Sequence, residues 1–491
     1  MTQTADDSGA ARPLRFAIIG AGMAGILSAI KLKEAGFTDF TVYEKGDRLG
    51  GTWRENTYPG LACDVPSHLY SYSFALTPDW SHRFSPGPEI YAYFERVARE
   101  HDVIRQMRFG EEVTDCAFVN GRWRLETKNG DHDEVDVVIG ATGVLHHPRY
   151  PDIEGIDSFE GAMFHSARWD HSVTTDNKRV GIIGTGSTAV QMVSALVDRV
   201  STLTLFQRTA QWVMPQENPE YTDEEKEQFR ADPACLPALH KQLGEMFGIF
   251  ANAVIDSDSP GIKMIEDACL ANLETNVHDP ELRERLRPDY RAACKRLIIS
   301  PDFYASIQRP HAELVTEGID RIEAEGVRTK DGVLHQLDVL VLATGFKADA
   351  FMRPMHITGR DGHTLDEIWA ERPNAYLSIS IPELPNFFML NGPNGPVGNF
   401  SLIEVAELQF GYVMQLIERL RAGVCREISA SREAMNEWEA LRTEAAKRTV
   451  WVTGCRSWYL DDRGIPATWP WSFDRFREEM REPKLASFDQ R

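Results

Sequence analysis

Two short glycine-rich stretches define the chemistry open to this chain. The first is Gly20-x-Gly22-x-x-Gly25, preceded by the apolar run RFAIIG and followed by the helical pattern ILSAIKLKEAG. The second is Gly184-x-Gly186-x-x-Ala189, preceded by RVGIIG, with Ser187 and Thr188 opening the pattern STAVQMVSALVDRV. Each reads as strand, tight turn, helix. Such a turn lets a pyrophosphate approach the backbone, and the helix N-terminus offers N–H donors and a positive dipole. Alanine is a permitted third member of the motif.

The strands that follow select the nucleotide. FTVYEK carries Glu44, and TLTLFQR ends in Gln207-Arg208. Glu44 follows Gly20 at the same spacing as Arg208 follows Gly184. A carboxylate there accepts hydrogen bonds from ribose hydroxyls, whereas an arginine suits a 2′-phosphate. The first site therefore suits FAD or NAD and the second NADPH. Two dinucleotides in one chain point to hydride transfer from NADPH to a flavin.

The elements that must hold these sites follow. Two more apolar strands, DVVIGATGV (136–144) and DVLVLATGF (338–346), close on Ala-Thr-Gly, small residues that admit a ligand close to backbone. The order predicts a doubly wound α/β fold of two Rossmann-like domains, the NADP domain inserted into the FAD domain. Residues 1–145 open the FAD domain and 146–335 form the NADP domain. DVLVLATGF then returns with 336–491 to complete the first. Residues 222–290 read as helical, predicting an insertion at about 215–295 in the NADP domain. Thr222-x-x-Glu225 is a capping box. Leu236, Leu239, Leu243, Met246, Phe247, Phe250 and Val254 recur at helical spacing, as core or as a wall of a substrate pocket.

Composition bounds the rest. A chain of 491 residues exceeds one core. Its 42% hydrophobic and 26% charged residues are an ordinary globular balance. A net charge of -21 argues against nucleic-acid binding. No apolar run is long enough to span a bilayer, and the polar N-terminus MTQTADDSGAARPL lacks the apolar segment of a secretion signal. Seven cysteines stand singly with no CxxC, which predicts reduced thiols, a cytoplasmic location and no disulfide-reductase activity. No metal site is expected.

One motif lies where the chain is expected to cross between domains: Phe159-x-Gly161-x-x-x-His165-x-x-x-Trp169-Asp170. Together with GAGMAG, GGTW, DVPSHLYSYSF, GTGSTA, FQR, ATGF and a tryptophan-rich C-terminus, it resembles the fingerprint and layout of the type I Baeyer–Villiger monooxygenases, class B flavoproteins of the flavin-containing monooxygenase superfamily. The resemblance spans nearly the whole chain. It implies FAD and NADPH/NADP+ as cofactors and O2-dependent insertion of one oxygen beside a ketone carbonyl through a C4a-peroxyflavin. An ester or lactone results, with sulfoxidation as a side activity, from a monomer or small homo-oligomer. It implies that Arg296 of CKRLIISPDFY is the stabilising cation, oriented by Asp64, and that Lys295 joins Arg208 at the 2′-phosphate. Gly51, Thr52, Trp53 and Tyr70 would line the flavin, the Val113 backbone would meet the adenine, and Trp458 would contact NADP+ from a segment that orders over the site. For the fingerprint it implies a coupling of domain position to the cofactors, with His165 bonding backbone to keep the domains in register. After Trp458 this chain reads Tyr459-Leu-Asp-Asp where the best-studied cycloketone enzymes carry Gly-Ala-Asn, which leaves the ketone open. Two rivals stand beside this reading: a sulfur- or nitrogen-oxygenating flavin enzyme, and a non-oxygenating NADPH-binding redox sensor.

Overall fold

The run FAII at Phe16–Ile19 is buried along its whole length, so both its faces and both its edges need partners. It pairs in parallel with Phe40–Glu44 on one side and Val137–Gly140 on the other. Phe387–Met389 and Met107–Phe109 complete a five-stranded parallel sheet. Helix Met23–Glu34 follows the first strand directly, with Lys31 and Lys33 in its last turn to complement the dipole. The computed structural model describes residues 13–232, 234–398, 400–455 and 457–491; the polar N-terminal tract to residue 12 lies outside them.

The second unit repeats the plan. Arg179–Ile183 pairs in parallel with Thr202–Phe206 and Val339–Leu342, and Ala312–Val315 and Ala162–His165 form the edges. This corrects one expectation. DVLVLATGF does not return to the first domain; it is the fourth strand of the second sheet, and the boundary expected near 335 falls one strand early. The reason is steric. Gly20 (φ +104°) lets the Ala141 carbonyl come within 2.5 Å of where a β-carbon would stand, and Gly184 (φ +117°) does the same for Ala343 at 2.3 Å. Each glycine turn is closed by an Ala-Thr-Gly strand of its own. Phe387–Met389 completes the first sheet instead.

The chain crosses between the units twice, and the crossings lie side by side. The Arg149 amide donates to the Gly345 carbonyl at 2.8 Å and the Lys347 amide to the His147 carbonyl at 2.9 Å. The insertion holds helices Asp223–Ala231, Cys235–Ala253, Pro260–Asn276 and Pro280–Arg285, with the Thr222–Glu225 capping box formed. Its apolar stripe is divided: Leu243 and Phe247 pack on the core of the first unit, Phe250 packs on a cluster around Trp451, and Met246 is exposed. No helix among the described residues is long and apolar enough to cross a membrane.

The thiol expectation fails at two of the seven cysteines. Cys294 and Cys455 form a disulfide, their Cα atoms 6.2 Å apart across a sequence separation of 161. Both are buried in one apolar cluster. The other five remain free. Scattered cysteines therefore do not argue for a reducing compartment here. Denatured protein is expected to titrate five thiols without reductant and seven after reduction. Cys455→Ser should lower stability by about 2–5 kcal/mol, measured by denaturant unfolding.

Candidate active site

The first glycine turn builds a narrow cradle. Gly22 and Gly51 face each other so closely that a β-carbon on Gly51 would lie 2.9 Å from the Gly22 Cα. A β-carbon on Gly25 would strike the Gly20 carbonyl, so the third glycine serves helix–strand packing. Glu44 is buried at the end of its strand. Its Oε2 accepts from the Ala21 amide at 2.8 Å, and its Oε1 accepts from the Gly46 amide at 2.8 Å and from Arg54 at 2.7 Å. A carboxylate offers about four lone-pair directions, so these three donors leave Oε2 room for a ribose hydroxyl. Arg54 was not foreseen; in GGTWRE it reads as one more charged residue of a short helix. Thr52 and Trp53 lie on that helix, Thr52–Glu55, and the Trp53 indole donates to the Tyr70 hydroxyl at 3.2 Å. Val113 is buried at the start of a strand, two residues beyond Glu111, whose amide donates to the Glu44 carbonyl at 2.9 Å.

The second cradle is more open, with no atom within 4 Å of a β-carbon built on Gly186. Ser187, Thr188 and Ala189 begin the helix Ser187–Leu196. Gln207 is buried, and its side-chain amide donates to the Arg285 carbonyl at 2.6 Å, so it braces the helical insertion. Arg208 beside it is exposed. The Lys295 ammonium lies 4.6 Å from the centre of the Tyr290 ring. Burial first, and then the nearby Arg208 charge, hold its pKa below the ordinary lysine value. Two cations brought together at an open glycine turn suit a phosphate dianion. The cradles are fastened to each other: the Tyr58 hydroxyl donates to Gln191 at 2.8 Å, and Gln191 donates to the Ala62 carbonyl at 3.0 Å. Gly60 (φ +83°) permits this approach, because a β-carbon there would lie 2.5 Å from the Gln191 carbonyl.

Asp64 and Arg296, 232 residues apart in sequence, meet between the cradles. Arg296 Nε donates to Asp64 Oδ2 at 2.9 Å, and Nη2 reaches Oδ1 at 2.7 Å and Oδ2 at 2.6 Å. Nη1 donates to the Gly398 carbonyl at 3.0 Å. Burial opposes the guanidinium charge, but the attraction of Asp64 outweighs it and holds Arg296 above its ordinary pKa. Side-chain exposure is 34% for Arg296 and 21% for Asp64, so the pair is reachable yet partly dry. Lys295 and Arg296, neighbours in the chain, thus face different partners, Lys295 the Tyr290 ring and the Arg208 charge, Arg296 the Asp64 carboxylate.

The fingerprint takes a place other than the one expected. It is no linker: Ala162–His165 is the outer strand of the second sheet. A β-carbon on Gly161 would fall 2.6 Å from both the Phe159 ring and the Asp338 carbonyl. Trp169 packs edge-on against Phe164 at 5.0 Å, and the exposed Asp170 accepts from the Ser172 amide and hydroxyl. His165 reaches the crossing. Its Nδ1 accepts from the Ala167 amide at 3.1 Å, which leaves Nε2–H to donate to the Gly345 carbonyl at 3.0 Å, the same carbonyl that Arg149 uses. Trp458 is 40% exposed, whereas Trp469 is fully buried among Trp438, Trp471 and Phe476.

A family profile described as pyridine nucleotide-disulphide oxidoreductase matches residues 17–226. The chain is 38% identical to a Baeyer–Villiger monooxygenase of Streptomyces coelicolor, covering 97% of this chain and 92% of that protein. It is 48% identical to an uncharacterized monooxygenase of Mycobacterium tuberculosis, covering 97% and 96%. Among solved structures, cyclohexanone monooxygenase from Rhodococcus sp. Phi1 bound to NADP+ superposes with a TM-score of 0.87 at 29% identity, over 97% of this chain and 99% of that one.

Four histidines around the first unit and the crossing carry a pH dependence. Burial first, then His240, lowers His68 from 6.5 to about 4. Burial first, then Lys45, lowers His146 from 6.5 to about 4. His147 and His165 are also lowered, chiefly by burial. The folded state therefore binds fewer protons than the unfolded one between these values. Stability from these groups is fully present above pH 6.5 and is lost as pH falls toward 4, by at most about 1.4 kcal/mol per pH unit for each group. Thermal melts should show a falling Tm across this window, with a shallower slope in His146→Gln.

Proposed function

This chain belongs to the Baeyer–Villiger monooxygenases, a family of FAD- and NADP-dependent flavoprotein oxygenases, and from that premise we propose that it inserts one oxygen atom of O2 beside the carbonyl of a ketone to give an ester or lactone. The observation that carries this reading is the Asp64–Arg296 pair standing between two dinucleotide cradles. FAD fits the first cradle: Gly20, Gly22 and Gly25 admit the pyrophosphate, and Glu44 has acceptor capacity for ribose. Gly51, Thr52, Trp53 and Tyr70 then lie along the flavin. NADPH fits the second: Gly184, Gly186, Ser187, Thr188 and Ala189 admit its pyrophosphate, and Arg208 and Lys295 take the 2′-phosphate. When bound and reduced, the flavin supplies activated oxygen.

The rest belongs to the protein's own residues. Arg296 stays charged, because Asp64 holds it so, and it places N–H donors where negative charge develops on the substrate oxygen. Such fixed donors act strongly in a site that excludes water. Asp64 orients the guanidinium through three hydrogen bonds. A fixed cation favours attack by an anionic oxygen on a carbonyl. Transfer of an electrophilic oxygen to sulfur has no need of it, which makes sulfoxidation the side activity.

The test is NADPH consumption by the FAD-loaded protein with a panel of cyclic, aryl and steroid ketones, products being read by mass spectrometry under isotopically labelled O2. An ester or lactone with one labelled atom is expected, and Arg296→Ala should abolish it while the flavin is still reduced by NADPH. Sulfoxide from thioanisole with no ester from any ketone would sink the proposal in favour of a heteroatom oxygenase. NADPH oxidation with no oxygen uptake would favour a redox sensor. Arg208→Ala should raise the KM for NADPH roughly tenfold or more, the worth of one lost charge-assisted contact, with much less effect on NADH.

A further inference from the structure

Arg296 has a neighbour besides the two partners already described. Its Nε and Nη2 donate to Asp64 and its Nη1 to the Gly398 carbonyl, and the Tyr459 hydroxyl lies beside Gly398, close enough for the guanidinium charge to act on it. That hydroxyl sits in a space prepared for it. A β-carbon on Gly398 (φ +103°) would lie 2.2 Å from the Tyr459 oxygen, so only glycine admits the contact. Tyr459 is 3% exposed, with its ring 5.7 Å from Trp451 and 4.3 Å from Trp458. The Ala467 amide donates to its backbone carbonyl at 2.7 Å. The Cys294–Cys455 disulfide ties the segment that carries Tyr459 to the residue two before Arg296.

A guanidinium has no acceptor, so a phenol oxygen beside it can only accept from it. Burial keeps the phenol protonated, against the pull of the neighbouring cation. Asp64 fixes one edge of the guanidinium and the Gly398 carbonyl holds Nη1, while the Tyr459 ring and hydroxyl fill the space beside that carbonyl. We propose that Tyr459 is a positioning residue that completes an Asp64–Arg296–Tyr459 set and holds the guanidinium plane at the angle where its donors meet the oxygen developing charge. This rests on the role given to Arg296 above. It also gives the Tyr459-Leu-Asp-Asp sequence a function of its own.

Tyr459→Phe keeps the ring packing and removes only the hydroxyl. In the FAD-loaded enzyme, kcat for ester formation should fall roughly tenfold or more, as expected when a reacting group is slightly misplaced. The KM for NADPH should hold, and the share of NADPH ending as hydrogen peroxide should rise. A second measurement does not use activity: thermal unfolding of Tyr459→Phe, Arg296→Met and the double variant. The two single losses in Tm should sum to more than the loss in the double variant, because both remove one contact. Additive losses overturn the proposal, and so does a Tyr459→Phe enzyme with wild-type kcat and wild-type peroxide share. If the unmodified enzyme makes no ester at all, the proposed function fails by itself, and the unfolding cycle alone decides whether Tyr459 holds Arg296.

Discussion

The ion pair between Asp64 and Arg296 is the constraint around which the molecule is arranged. Its partners come from opposite units and are 232 residues apart in the chain. A guanidinium that is one-third exposed and a carboxylate that is one-fifth exposed lose part of their hydration. Bidentate geometry offsets that cost only if both backbones are held still. The fold supplies this rigidity. Tyr58, Gly60 and Ala62, just upstream of Asp64, are locked onto the helix of the second glycine turn. Arg296 is gripped by the Gly398 carbonyl and by the disulfide two residues before it.

The two units are built on one steric device used twice. In each, a glycine in a left-handed conformation lets the alanine carbonyl of an Ala-Thr-Gly strand close beneath the nucleotide turn. The units differ where the second strand ends. Glu44 is buried among backbone amides and Arg54, whereas Arg208 is exposed with Lys295 beside it. A buried acceptor suits hydroxyls, and a pair of cations suits phosphate. At the paired crossings the Gly345 carbonyl is shared by the Arg149 amide and His165 Nε2, so the outer strand of the second sheet touches the crossing directly.

The C-terminal tryptophans divide by burial. Trp438, Trp469 and Trp471 pack on one another as core, and Trp458 stands partly in solvent above Tyr459. The segment between them is held by the Cys294–Cys455 bond, so the residues nearest Arg296 are tethered to it covalently.

The local features were legible in the sequence because each depends on residues close together in the chain. Strand, glycine turn and helix are contiguous, as are the Thr222–Glu225 capping box and the spacing from each turn to Glu44 or Arg208. Resemblance carried further, naming Asp64 and Arg296 as partners before any distance was known. What only the tertiary structure decided depends on residues distant in the chain. DVVIGATGV and DVLVLATGF are nearly interchangeable as strings, and only the contact of Ala343 with Gly184 assigns the second to its sheet. The fingerprint reads as a linker because an edge strand half covered by its neighbours has no alternation to betray it. Cysteine spacing cannot announce a bond that closes over 161 residues. Arg54 and Tyr459 escaped for the same reason: a charge in a short helix and a tyrosine after a tryptophan acquire their partners only when the chain has folded back on itself.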